Sequence, residues 1–341
     1  MDKKVYLVSD AYTADPSVHV WNDRLYIYPS HDIDAGIEDN DNGDQYCMED
    51  YHCYSTDDLE AVMRGEKTLV DHGVILKVAD IPWAGRQLWD CDVQEKDGKY
   101  YLYFPLKDKN DVFHFGVAIA DKPEGPFIPQ PDPIRGSYSI DVAVLKDDDN
   151  QNYFYFGGIW GGQLQWYKDN KLSFNETGAY APPPADVNTI VPTKKSEVNA
   201  LPSRVVRLTD DMLGFAEDPK PVIILDENGK ELKADDPRRF FEASWMHKYK
   251  GKYYFSYSTG DHHTICYAIG DNPYGPFTYQ GVVLTPVKAG WTTHHCIVEF
   301  KGKWYLFHHD SVPSGGRSCL RSLKVCELHY NEDGTIQTIE G

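Results

Sequence analysis

Five ionisable residues keep nearly the same distance from five similar turns. Asp15 lies seven residues before Asn22-Asp23, Asp90 seven before Asp97-Gly98, Asp141 seven before Asp148, His294 seven before Lys301-Gly302, and Glu242 eight before Lys250-Gly251. Positions that enter buried strands are ordinarily apolar, so carboxylates held in phase ask for a use or a partner. Carboxyl groups drawn together cannot all ionise: repulsion raises at least one pKa and leaves a protonated acid beside an ionised base. Two such groups flanking one bond are the equipment of glycoside hydrolysis. Each position alone also has a structural reading. Asp15 precedes Pro16 and suits a turn, Asp141 could cap a loop, and Glu242 could pair with Arg238 or Arg239.

The elements that must position these residues form a repeat. HVWNDRLYIYPS from residue 19, VQEKDGKYYLYFPL from 93, AVLKDDDNQNYFYFGG from 143, MHKYKGKYYFSYS from 246 and IVEFKGKWYLFHHD from 297 each read as a strand, a polar turn and an aromatic-rich strand. DKPEGPF at 121–127 and DNPYGPF at 271–277 echo one another behind VAIA and YAIG, as an outer strand and its exit turn would. Five copies of one antiparallel unit predict an all-β, five-bladed β-propeller, with residues 1–341 forming a single catalytic domain. A β-sandwich with an aromatic bias is the alternative. Helical periodicity is confined to the region around Asp57 to Arg64, and the Pro-rich stretch 181–197 reads as a long loop. In a propeller the first strand of each blade lines the central channel, so the five in-phase residues would meet at one channel mouth.

Composition narrows the partners. A net charge of -19 argues against nucleic-acid backbones and anionic membrane surfaces and favours a neutral substrate. No apolar run spans a bilayer, and MDKKVYLVSD lacks a signal-peptide core. Seven cysteines without metal-type spacing predict reduced thiols and a cytoplasmic setting, or a secreted or periplasmic one if a leader has been removed.

Four segments carry a resemblance to a known family. ADPSVHVWNDRLYIYPSHD, SIDVAVLKDDDNQNYFYFGG, FFEASWMHKYKGKYYFSYSTGD and WTTHHCIVEFKGKWYLFHHD resemble the signature segments of glycoside hydrolase family 43, five-bladed propellers that include β-xylosidases, α-L-arabinofuranosidases and arabinanases. The similarity runs from about Val5 to Ile339. It implies that Asp15 is the general base, Glu242 the general acid, and Asp141 the carboxylate that holds the acid and keeps its pKa high. It implies inversion, which needs room for a water between base and acid. His294 aligns with a histidine that approaches calcium or a similar divalent cation at the channel centre, where waters would complete the shell of a hard ion. Arg321 corresponds to an arginine that reaches the sugar, with Arg317 a competing choice. Trp89-Asp90-Cys91-Asp92 departs from the Trp-Ala-Pro-Asp of many relatives and adds a carboxylate near the ring. Ala243-Ser244, where Gly and Pro are frequent, is a milder departure.

From the residues themselves, one or more of Trp83, Trp89, Trp160 and Trp291 could supply an apolar platform for a pentose. His295, next to His294, alternates to the other strand face and is a weaker substrate contact. His262 and His263, outside the register, read as surface or loop residues. The expected activity is release of terminal β-D-xylose or α-L-arabinofuranose from xylo- or arabino-oligosaccharides, with the loop at 30–53 walling one end of the channel. An endo-arabinanase with an open cleft and a non-catalytic sugar-binding propeller are the alternatives.

Overall fold

A computed structural model describes residues 4–168, 170–172, 198–260 and 263–341; the stretch 181–197 and His262 lie outside them. Among the described residues, five mainly antiparallel sheets follow one another along the chain, with a separate two-stranded pairing of Tyr167–Lys168 and Lys171–Leu172. Blade I runs through Tyr12–Trp21, Arg24–Asp32, Asp50–Thr56 and Val70–Lys77. Blade II contains Asp92–Lys96, Lys99–Asp108, Phe113–Ala120 and Ile128–Pro129, with Ala84–Arg86 added beside Lys99–Asp108. Blade III contains Ala143–Lys146, Asn152–Phe156, Arg204–Arg207 and Lys220–Pro221. Blade IV contains Phe240–Tyr249, Lys252–Thr259, Ile265–Gly270 and Phe277–Leu284, with Ile224–Leu225 parallel at its edge. Blade V contains His295–Phe300, Lys303–Asp310 and Ser322–Leu328. Its outermost strand is Val5–Tyr6 from the other end of the chain, so the first residues lock the ring shut. The first strands of successive blades touch in a closed circle, I to II to III to IV to V and back to I. The architecture is the five-bladed propeller expected from the repeats.

The turns that set the phase are real. Asn22-Asp23, Asp97-Gly98, Lys250-Gly251 and Lys301-Gly302 all have φ between +48° and +78°, and each closes a two-residue hairpin. Positive φ at both central residues matches the twist of the flanking strands. In blade III a longer loop links Lys146 to Asn152. The echoed turns also fold alike, with Gly125 donating to Lys122 O and Gly275 to Asn272 O. The helix expected near residues 57–64 is Leu59–Arg64, capped by Asp58, whose side chain accepts the Ala61 N–H, and ended by Gly65 in the left-handed region.

Aromatic second strands fill the space between blades, and their tyrosines explain a preference that Phe alone would not satisfy. Tyr28 of blade I donates to Pro123 O in blade II, Tyr103 of blade II to Met212 O in blade III, and Tyr155 of blade III to Pro273 O in blade IV. Tyr254 of blade IV reaches Gly334 O in the segment after the last strand. Each ring buries apolar area while its hydroxyl satisfies a turn carbonyl of the next unit.

Candidate active site

The strands do not simply deliver the in-phase residues to the channel mouth; they kink there. The pairing of blade I slips between Ala14 and Ser17, and Asp15 takes φ +46°. Blade IV slips on both sides of Glu242, and Ala243 takes φ +60°. Asp141 takes φ +63° just before its strand begins. Bulges and left-handed residues re-aim side chains that regular strands would leave in the sheet, and they concentrate at functional sites.

Asp15, Asp90, Asp141, Glu242, His294 and Arg321 all line one cavity of about 310 Å³. Arg321 organises the Asp15 side. Nη1 donates to Asp15 Oδ1 at 2.7 Å, while Nε and Nη2 form a fork onto Asp32 at 2.8 and 2.7 Å. The Asp15 N–H donates to His309 Nδ1 at 3.1 Å. Arg317, the competing arginine, instead pairs with Asp34 on an exposed loop. Glu242 does not pair with Arg238, whose guanidinium is engaged by Asp236 and Glu227. Its Oε1 faces His263 Nδ1 at 4.0 Å.

Asp141 Oδ2 accepts the Ala243 N–H at 2.6 Å, fixing the backbone next to Glu242. Asp90 accepts the N–H groups of Asp141 and Val142 at 3.1 and 2.8 Å, so the extra carboxylate of blade II is tied to blade III. Asp92 points away from the cavity to Ser17, His19 and the Val144 N–H, joining three blades.

Proton affinities diverge within this group. Burial is the largest single influence on Asp15 and pushes it upward, but the Arg321 guanidinium together with His309 and His294 outweighs burial and brings it down to about 2. Burial and then the charge of Asp15 push Glu242 up to about 8. Burial and Asp15 raise Asp90 to about 7, and burial, Asp90 and Glu242 hold Asp141 well above the usual carboxylate range. At neutral pH an ionised Asp15 therefore shares the cavity with a protonated Glu242. The raised pKa of Glu242 comes first from burial and then from Asp15, while Glu242 in turn helps to raise Asp141.

Asp90, Asp141 and His294 bring ligand atoms within 4.8 Å of one another. Both ring nitrogens of His294 are buried without a hydrogen-bond partner among the described residues, and burial lowers its pKa, keeping it neutral. An unused imidazole between two carboxylates fits a divalent cation whose shell waters would complete.

The remaining expectations divide. Trp89, Trp160 and Trp291 line the cavity, and Trp291 is 46% exposed, whereas Trp83 stacks on Phe104 within blade II. His295 is fully buried, bonded to Ser256 Oγ and absent from the cavity wall, so the expected substrate contact is corrected: strand alternation turns it into the blade. His263 does lie in the loop between Lys252–Thr259 and Ile265–Gly270, but it is not a surface residue: it is buried, packs against Trp291 and Phe241 at 4.7 and 5.4 Å, and reaches toward Glu242. Asp32, His309 and Tyr46, whose ring lies under Arg321, went unseen in the sequence. The charged end of the otherwise apolar LYIYPSHD strand was the available signal for Asp32.

A propeller whose channel mouth holds one ionised and one protonated carboxyl group from different blades has the equipment of a glycoside hydrolase. Residues 7–179 match the family model for glycosyl hydrolases family 43. The chain is 65% identical over 340 residues to a xylosidase/arabinosidase of Bacteroides ovatus, covering 99% of this chain and 98% of that one. It is 58% identical to a beta-xylosidase of Xylanibacter ruminicola, covering 99% and 100%. A beta-xylosidase/alpha-arabinofuranosidase from a compost microbial metagenome, solved with xylotriose in a calcium-free form, superposes with a TM-score of 0.90 at 53% identity, covering 100% of this chain and 99% of that one. The chain belongs to glycosyl hydrolases family 43 and is a glycoside hydrolase.

Proposed function

We propose that this enzyme removes terminal β-D-xylosyl or α-L-arabinofuranosyl units from short hemicellulose-derived oligosaccharides, with inversion at the anomeric carbon. The observation that carries the reading is the split between Asp15 and Glu242 inside one small cavity. Asp15 takes a proton from a water as its oxygen attacks the anomeric carbon. The glycosidic bond breaks on the opposite face, and Glu242 gives its proton to the departing oxygen. Proton exchange with solvent then restores both groups. Arg321 keeps Asp15 ionised and oriented; Asp141 fixes the backbone beside the acid. Tryptophan rings at the wall offer apolar faces to a pentose.

Terminal rather than internal cleavage is supported by the cavity's size, at the lower end of ligand pockets of roughly 300–1,000 Å³. It is also supported by the loop that carries Asp39, Asn40 and Asp41 into the wall. Ser318 Oγ bonds Asp39, Arg317 holds Asp34, and Gln87 donates to Gly43 O, so this wall is fastened on several sides. Seven cysteines, six of them buried, favour a reducing, intracellular setting. Asp90, Asp141 and His294 would hold a divalent cation, whose positive charge lowers the pKa of nearby carboxyl groups when bound. Thorough chelation should reduce activity and calcium restore it.

Substrates with different leaving groups test the assignment. On xylobiose, Asp15→Ala and Glu242→Ala should each lose about 10²–10⁴-fold in kcat/KM. On nitrophenyl β-xyloside, whose leaving group needs little protonation, Glu242→Ala should recover most of that loss and Asp15→Ala none. Equal losses of both variants on both substrates would refute the division of roles. A wild type inert on xylosides, arabinofuranosides and arabinan would refute the activity.

A further inference from the structure

A second group of metal-ligating side chains lies outside the cavity, on blade I. His31, Asp50 and His52 bring one ligand atom each within 4.8 Å of one another. His31 closes the second strand of the blade; Asp50 and His52 open the third and, two residues apart, share a face. His31 Nδ1 is 2.6 Å from Asp50 Oδ1, and the two imidazole rings meet edge to face at 5.0 Å. A single His–Asp pair would explain the first contact, but it does not explain a second imidazole converging on the same carboxylate. On the fourth strand, Asp71 Oδ1 lies 3.3 Å from His52 Nδ1, and Tyr54 stacks on the His52 ring at 5.9 Å. A carboxylate behind a histidine is the arrangement that orients a ligating imidazole. Side chains of His31, Asp50 and His52 are only 19–25% exposed, which leaves a solvent path without flooding the group.

We propose that this cluster is a second cation site, chemically distinct from the one at the channel centre, and that it takes a borderline transition ion such as Zn2+. Two nitrogens and one carboxylate oxygen suit zinc and its neighbours, with water in the fourth position, whereas calcium prefers six to eight oxygens. The ion would bridge the second and third strands of blade I, with the fourth strand backing it through Asp71. His31 immediately precedes Asp32, which holds the Arg321 fork. Occupancy would therefore stiffen the strand end that supports Arg321 and Asp15 without touching substrate.

The test uses the full chain, stripped by chelation and returned to saturating CaCl2 so that the channel-centre group is occupied by the hard ion. Titration with ZnCl2 by calorimetry should show one saturable equivalent per chain, and Zn2+ should raise Tm. The expected pattern is loss of that equivalent in His52→Ala and in His31→Ala, with Asp71→Asn weakening it by about 10–100-fold. Retained hydrolysis of nitrophenyl β-xyloside reports that each variant is folded. His52→Gln, closer in shape, serves if the alanine variant is unstable. Absence of saturable Zn2+ binding to the calcium-loaded wild type, or an equivalent that survives both histidine substitutions, would overturn the proposal.

Discussion

At the scale of single residues, the proposed mechanism rests on two carboxyl groups that burial treats alike and neighbours treat differently. Both Asp15 and Glu242 are removed from water, yet only Asp15 has a guanidinium at 2.7 Å. The pH dependence follows from the sign of each shift. In the proposed mechanism Glu242 carries its proton, so kcat/KM should fall as pH rises through about 8. Asp15 must be ionised, and at about 2 its titration lies below the range in which activity is normally assayed. Arg321→Lys loses the fork that spans Asp15 and Asp32. Its acidic limb should therefore move upward into the measurable range, read from a pH profile of kcat/KM; an unmoved limb would mean that Arg321 does not set the state of Asp15.

At the scale of elements, loops and bulges decide where these groups point. Gly43 sits at φ +71° in the loop that walls the cavity, and a Cβ there would lie 2.7 Å from the Trp89 ring. Trp89 is itself held by its indole N–H on Tyr46 O at 2.8 Å. Gly43→Ala should therefore raise KM several-fold with a smaller change in kcat, since the clash displaces the wall and leaves Asp15 and Glu242 in place. The hairpin turns, the helix at Leu59–Arg64 and the five in-phase residues were legible because local residue types dictate them: positive φ at Asn-Asp and Lys-Gly, a capping Asp58, a repeated spacing. Asp32, His309 and His263 were not legible. Asp32 meets Arg321 across 289 positions and Asp15 meets His309 across 294, and their phase belongs to the ends of second strands. The burial of His263 within its loop was not legible because nothing local signals that Trp291 and Phe241 close over it.

At the scale of the whole molecule, the ring must stay closed for residues from different blades to share one sugar. Tyrosine hydroxyls passing from blade to blade contribute to that closure. Tyr155→Phe leaves Pro273 O buried without its donor and should cost about 1–3 kcal/mol in denaturant unfolding. Activity at low temperature should survive. The central claim is that blades I and IV place a base and an acid on opposite sides of one glycosidic bond, with a water between base and sugar. Proton NMR of the first sugar released from nitrophenyl β-xyloside, recorded before mutarotation, tests it most directly. The account expects α-xylose to appear first; β-xylose as the initial product would contradict it.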